Sequence, residues 1–387
     1  MNVDIVVVGG GIVGVSFALQ LAASDLQIRV IDRKPAVDLV LDGDFDHRVY
    51  ALTPTNMAML ERLNVFQPED RARLTPIRGM EIFGDKQAQL TFSARDINRS
   101  ELAVMIEHRL LAQRVSSQLK SAANVQCLSH SSPVSIEPSV DSVSLALDDG
   151  TKIDSALVVG ADGAKSWVRE QCGFSITEKD FAQVALVANF RCEKSHSQIA
   201  RQWFAGGGVL AWLPLEDAII SIVWSLPSAR ADELHALENN AFCRAVEVGG
   251  KYGLGVMQLI SPRARFPLAS LRSDKLVSSR VALIGDAAHV IHPLAGQGLN
   301  LGLQDAAALA QILREKSVAQ SLGDIAVLRR FERSRKEAFV TMQAATSGLQ
   351  GLFAWDSAIV AAIRNGGMAF VDRAPRLKKL LMRYAIG

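Results

Sequence analysis

Residues 5–23 read IVVVGGGIVGVSFALQLAA, and their interpretation decides the fold. Almost every residue is apolar, as in a membrane span or a signal peptide. Against both, no Lys or Arg precedes the run, Asp4 stands at its front, and glycines cluster in its middle. Val/Ile enrichment before the glycines gives way to Ala/Leu after them. The stretch therefore predicts a strand buried on both faces over 3–8, a glycine turn, and a buried helix over 12–23. Gly9, Gly11 and Gly14 have G-x-G-x-x-G spacing. Such a turn needs its first glycine to bend tightly. The second lets a pyrophosphate approach the backbone, and the third lets helix and strand pack closely. The helix N-terminus then faces the phosphates.

Working outward, IRVID at 28–32 reads as a second strand. It ends on Asp32, where a carboxylate can accept bonds from ribose hydroxyls. These features predict an adenine dinucleotide without separating NAD from FAD. Two further strand ends help to separate them. VVGADG (158–163) carries Asp162-Gly163, and VALIGDAAH (281–289) carries Gly285-Asp286. One dinucleotide turn suffices for NAD, whereas Gly/Asp pairs at three strand ends suit a more extended cofactor.

The chain has 387 residues, 49% hydrophobic and 21% charged, which is a globular composition with room for two domains. A net charge of +2 argues against a nucleic-acid partner. Cys127, Cys172, Cys192 and Cys243 lie far apart, with no C-x-x-C and no zinc spacing. No metal site is expected, and a reduced, cytoplasmic protein is. PTNMAMLERL (54–63) and RSELAVMIEHRLLAQRV (99–115) have helical spacing. Alternating segments around Asp149-Gly150 predict a hairpin. From about 179 the texture changes to aromatic, alternating strands, which predicts an antiparallel sheet apart from the first domain. The tail from 325 reads as helical. The expected fold class is α/β: a Rossmann-like dinucleotide-binding domain with a parallel sheet, an antiparallel-sheet domain, and C-terminal helices.

The three Gly/Asp turns together resemble those of the class A FAD-dependent aromatic monooxygenases, the p-hydroxybenzoate hydroxylase type. Within that class, HPLAGQGLNLGLQD (292–305) resembles the signature of the ubiquinone-biosynthesis hydroxylase family, and RQWFAGGGVLAWLPL, SIVWSLP and FERSRKEA are similar to it too. The resemblance implies a discontinuous FAD-binding domain over 1–72, 99–178 and 270–345. It implies a substrate-binding sheet over 73–98 and 179–269, and a C-terminal helical segment over 346–387. It implies that Gly9, Gly11, Gly14, Asp32 and Arg33 hold the ADP half of FAD, and that Gly285 and Asp286 meet the ribityl chain or pyrophosphate. Arg48 in HRVYAL and Arg99 in NRSEL match cofactor-contacting positions. Asp162 and Gly163 belong to a motif linked to FAD and NAD(P)H, although Asp162 can equally cap the following helix.

The same resemblance explains three glycines at a helix start. Pro293 would fix the chain direction on entry, and the turn through Gly296, Gln297, Gly298 and Asn300 would set backbone N–H groups against the flavin ring, whose N1/C2=O edge becomes negative on reduction. Asn300 can contact flavin, brace the turn or cap the helix, and His289 and His292 read as structural. The implied chemistry is reduction of FAD by NAD(P)H, addition of O2 at flavin C4a, and transfer of one oxygen from the hydroperoxide to the ring of a polyprenylated phenol. No side chain is assigned as catalytic. Leu210 and Trp212 share a strand face and are candidates for the substrate pocket, or for ordinary sheet core. The basic, amphipathic C-terminal DRAPRLKKLLMRYAIG reads as a solvated helix with a few core contacts, or as a peripheral contact with the inner membrane or a quinone-biosynthesis complex. Two competing functions are an FAD-dependent hydroxylase or reductase of another aromatic or lipid, and a non-catalytic flavin-binding scaffold.

Overall fold

A computed structural model describes residues 2–34, 45–84, 89–205, 207–291 and 297–336, with positions 374, 376, 378, 379 and 382. Among them the chain forms three sheets. The opening stretch behaves as its composition requires. Ile5, Val6 and Val7 of β1 (Asn2–Val8) are fully buried, the glycines turn, and α1 (Ile12–Gln20) follows. No described helix is long and apolar enough to cross a membrane.

The first sheet runs β18 (Val277–Ser278), β19 (Val281–Leu283), β11 (Lys152–Gly160), β1, β2 (Ile28–Asp32), β8 (Val125–Ser129). From β19 to β8 every pairing is parallel. The first half of β11 instead makes the hairpin with β10 (Val143–Leu147), which pairs onward with β9 (Pro133–Pro138). One face of this sheet is covered by α1, α3 (His108–Leu119) and α7 (Gly298–Arg314), through Val15, Phe17, Leu111, Leu303 and Ala306. On the other face Val6, Val8, Ile31 and Leu145 pack with Val168 of α4 (Trp167–Gln171).

The second sheet has nine strands. Its order is β20 (His289–Val290), β17 (Ala264–Ser273), β12 (Ile176–Cys192), β15 (Ile219–Pro227), β14 (Gly208–Pro214), β13 (Ile199–Ala205), β5 (Gly79–Phe83), β6 (Gln89–Ser93), with β16 (Met257–Leu259) also on β12. One face carries α5 (Ser228–Ala236) and α6 (Asn239–Gly249), which bury Phe242 and Val246 against Trp203 and Trp212. A small third sheet, β3 (Val49–Leu52), β7 (Ala103–Glu107), β4 (Thr75–Ile77), packs against the second through Met105, Ile77, Ala200 and Ile219. The helix α2 (Pro54–Arg62) starts on Thr53, whose hydroxyl accepts the Asn56 N–H, with proline at the first position.

One expected helix divides. Residues 99–115 do not form a single helix: Ala103–Glu107 is a strand, and the helix begins at His108. The run AVMIE sits between β3 and β4 and is buried along most of its length, so ladder bonds on both sides outweigh helical spacing. In the tail, residues 325–336 are helical. The expected segment 346–387 falls outside the described residues except at five positions.

Candidate cofactor site

The three glycines of the first turn do different jobs. Gly9 has φ +113°, and a Cβ there would lie 2.3 Å from the Ala161 carbonyl oxygen. A Cβ on Gly14 would lie 2.1 Å from the Gly9 carbonyl oxygen and 3.1 Å from Ala161 Cβ, so this glycine lets α1 lie against the strand ends. A Cβ on Gly11 would meet nothing within 4 Å. Gly11 is the N-cap of α1, with no side-chain cap and no acidic residue in the first turn. The first amides of the helix are therefore open to an anion. Asp32 closes the loop: its Oδ2 accepts the Gly10 N–H at 2.8 Å and its Oδ1 the Lys34 N–H at 2.9 Å. Each oxygen keeps a lone pair for a ribose hydroxyl. Arg33 follows on the surface.

The second Gly/Asp turn is committed to the protein itself. Asp162 accepts the Ser166 hydroxyl at 2.5 Å and the Val168 N–H at 3.1 Å, so it supports the start of α4. Gly163 supplies the positive φ of this turn. Buried Arg169 donates to the carbonyls of Ala164 (2.7 Å) and Ala287 (2.9 Å), tying this turn to the third.

The third turn is held from behind. Gly285 has φ +61°, and its N–H donates to Asp305 Oδ2 at 3.0 Å. The same oxygen meets His289 Nε2 at 2.7 Å, while Asp305 Oδ1 accepts Arg335 Nε at 2.6 Å. Burial alone would push the Asp305 carboxyl up; His289 and Arg335 outweigh it and hold the group below the ordinary range. Burial would push His289 down; Asp305 outweighs it and raises the imidazole. His289 is thus a structural residue. Asp286 is exposed, yet protein crowds it enough that desolvation raises its carboxyl, with His289 and Arg48 pulling back.

Arg48 reaches this neighbourhood from the start of β3. Asp46 anchors it by accepting the Arg48 N–H (3.0 Å) and the Arg109 N–H (3.2 Å). The Asp46 N–H in turn donates to buried Glu107, which pairs with Arg73 at 2.7 Å. Tyr50 OH lies 3.0 Å from His108 Nδ1. Burial pushes the Tyr50 phenol up to about 12, with Arg48 pulling back, and burial followed by Arg48 lowers His108, so a neutral imidazole accepts from the phenol. The charge of Lys34, just past β2, also acts on His108, and that of Asp286 on Tyr50. Lys34 and Asp286 thus lie within electrostatic reach of the Tyr50–His108 pair. Tyr50 and His108 were not singled out from the sequence. Their signal, the junction of β7 and α3, was hidden by reading 99–115 as one helix.

The helix α7 starts at Gly298, with Gln297 as an uncapped N-cap and no acidic residue in the first turn. A Cβ on Gly298 would meet nothing within 4 Å. Gly302, one turn on, is a packing glycine, since its Cβ would lie 2.8 Å from Val13 Cγ2 and 3.1 Å from Gly285 Cα. Asn300 is a brace. Its Oδ1 accepts the Thr53 N–H (2.9 Å) and Asn56 Nδ2 (2.8 Å), and its Nδ2 donates to the Ala51 carbonyl (2.8 Å), leaving little capacity for a ligand. Pro293 and Gly296 lie outside the described residues, as does His292.

Three expected site residues lie elsewhere. Arg99 is exposed ahead of β7, in a groove with Arg78 and Arg95 at the far end of the nine-stranded sheet. Leu210 and Trp212 face α6 and not the cleft: a Cβ on Gly250 would lie 1.8 Å from Trp212 Cζ2, and one on Gly249 2.8 Å from Leu210 Cδ2. Period-2 alternation puts the two on one face but does not say which face the helices cover. The register places Leu186, Trp224, Leu210 and Trp203 in one row under the helices. Val187, Val223 and Ala211 form the opposite row. Val187 and Val223 pack with Phe266, whose ring stacks on His47 at 6.4 Å and lies 5.9 Å from the Arg48 guanidinium. This row borders the cleft.

The residues present fit an FAD. An open helix start beside a strand-end acid suits its ADP half, and the Arg48–Asp286 region suits its remainder. We expect Asp286→Ala to weaken FAD binding tenfold or more, ~1.4 kcal/mol or above, through loss of a charge-assisted hydrogen bond. Titration of apoprotein with FAD checks it, and an unchanged dissociation constant removes Asp286 from the site.

Comparison with known proteins points to the same cofactor. The family model described as FAD binding domain matches residues 2–342. Ubiquinone hydroxylase UbiL of Rhodospirillum rubrum is 32% identical over 387 residues, covering 99% of this chain and 89% of that protein. The 3-demethoxyubiquinol 3-hydroxylase of Escherichia coli is 30% identical, covering 99% and 98%. Among solved structures, p-nitrophenol 4-monooxygenase PnpA from Pseudomonas putida superposes with a TM-score of 0.78 at 17% identity, covering 100% of this chain and 99% of that one, a likeness of fold.

Proposed function

We propose a function from one premise: the chain belongs to the FAD binding domain family, whose model spans residues 2–342. It is an FAD-dependent monooxygenase that hydroxylates the aromatic ring of a polyprenylated phenol in ubiquinone biosynthesis. The observation that carries the cofactor reading is the empty space before Gly11, at an uncapped helix start beside Asp32. The names of these two relatives, each at least 30% identical and matched along nearly the whole chain, support the pathway.

Bound FAD would supply the redox chemistry, taking a hydride from NAD(P)H and, with O2, delivering one oxygen atom to the ring. The chain's own residues bind and orient. Gly9, Gly11, Gly14 and Asp32 hold the ADP half. Asp286 and Arg48 take the middle, and the amides opening α7 face the ring. The parallel sheet serves as the flavin-holding unit and the nine-stranded sheet as the substrate unit. Val187, Val223, Ala211 and Phe266 form an apolar wall that seats a phenol ring and keeps water away. Tyr50 and His108 stay neutral near pH 7 and add no charge to the cleft. A greasy substrate comes from the bilayer, which the basic C-terminal segment contacts.

Deleting the gene in its host and identifying the accumulated quinone precursor tests the reading. The precursor should lack one ring hydroxyl that the purified protein restores with NADH or NADPH, taking its oxygen from O2. An unchanged quinone pool overturns it.

A further inference from the structure

Far from the cofactor cleft lies a groove of ≈ 680 Å³ along β5 and β6, at the opposite edge of the nine-stranded sheet. From Phe266 on β17 to β5 the path crosses five hydrogen-bonded strand steps. Arg78, Arg95 and Arg99 line the groove, and Met80, Phe92 and Ile199 line its apolar part. All three arginines are exposed. None of their side chains has a hydrogen-bond or ion-pair partner among the described residues. The acid in the lining, Glu81, is already paired with Arg201 at 2.8 Å. Among the described residues, three positive charges are thus left over beside an apolar surface.

Local backbone supports a built feature. The Arg78 N–H donates to the Gln198 carbonyl at 2.8 Å, and the Arg78 carbonyl accepts the Ala94 N–H at 3.0 Å. Ser197 and Gln198, on the groove wall, both take positive φ (55° and 59°). Consecutive left-handed residues other than glycine persist only where the surroundings enforce them. Lys378 adds a further cation here, its Nζ 5.9 Å from the centre of the Phe92 ring.

We propose that this groove docks the protein on an anionic bilayer by taking a phospholipid headgroup: guanidiniums on the phosphate, and Met80, Phe92 and Ile199 against the glycerol and first acyl carbons. Planar guanidinium forks match phosphate oxygens, and a volume of this size admits a headgroup but not a whole lipid. The inference extends the reading of a bilayer-borne substrate, yet its test reads lipid binding and not turnover, so either can fail alone.

The test is flotation of holoprotein with vesicles of phosphatidylcholine, and of phosphatidylcholine carrying about one third phosphatidylglycerol, at low and high salt. Wild type should float with the anionic vesicles only and dissociate at high salt. Arg78→Gln/Arg95→Gln should weaken binding roughly thirtyfold, and adding Arg99→Gln on the order of a hundredfold, since each basic group at an anionic surface contributes about a factor of five. The double variant should keep its FAD and its melting temperature, showing that it folds. Equal binding by the triple variant, wild-type binding to neutral vesicles, or no wild-type binding to either overturns the proposal.

Discussion

Gly11→Val should purify folded and colourless. Its Cβ would enter space that no protein atom occupies within 4 Å, and the extended φ and ψ of Gly11 (−73°, 176°) suit a β-branched residue. The cost to the fold is that of a poor N-cap, about 1 kcal/mol, so the apoprotein should melt within about 4 °C of wild-type apoprotein. The side chain would, however, stand where a pyrophosphate meets the amides. We expect at least a hundredfold loss of FAD affinity, ~2.8 kcal/mol. Gly14→Ala is the control with the opposite signature. One methyl placed 2.1 Å from the Gly9 carbonyl oxygen cannot be absorbed without moving α1 off the sheet. It should destabilise by about 3 kcal/mol or more and leave little soluble protein. Calorimetry with and without added FAD separates the two. A Gly11→Val protein with normal flavin content would move the cofactor site away from the first turn.

Asp305→Asn should be among the most damaging single changes in the chain, although Asp305 touches no ligand in the proposed site. Its carboxylate holds the Gly285 N–H, His289 and Arg335 in a buried cluster. Removing the charge leaves the guanidinium without its counterion, and breaking such a pair costs about 3–5 kcal/mol. The cost depends on pH with a definite sign. Asp305 is lowered, so its contribution is present above the ordinary 3.8 and is lost as pH falls through its folded value. His289 is raised, so its contribution is present below the ordinary 6.5 and fades as pH rises through its folded value. The difference in melting temperature between wild type and variant should therefore be widest between these two ordinary values and shrink on either side. FAD affinity should fall too, because the Gly285–Asp286 turn loses its backing. A pH-independent difference would show that the cluster is not ionised as described.

The parts of the site readable along the chain are those encoded by neighbours. Strand, glycine turn and helix follow one another within residues 2–20, so apolar pattern and glycine spacing suffice to place the first turn and the acid at Asp32. The same holds for the hairpin at Asp149-Gly150 and for the uncapped start of α7. Helical spacing failed at 103–107, because β3 and β4, some fifty and thirty residues upstream, supply ladder partners that a local pattern does not contain.

What tertiary structure alone decided is the direction in which each group faces and what covers it. Alternation put Leu210 and Trp212 on one side of a strand; α6, placed by later sequence, made that side core and left Val187, Val223 and Ala211 for the cleft. Asn300 and Asp305 sit inside a recognisable motif, yet their partners, Thr53, Asn56 and Arg335, lie far off in sequence, so their roles as brace and hub had no local trace. A residue's own chemistry and spacing limit what it can do. Which of those things it does depends on burial and on partners that only chain crossings bring within hydrogen-bond reach.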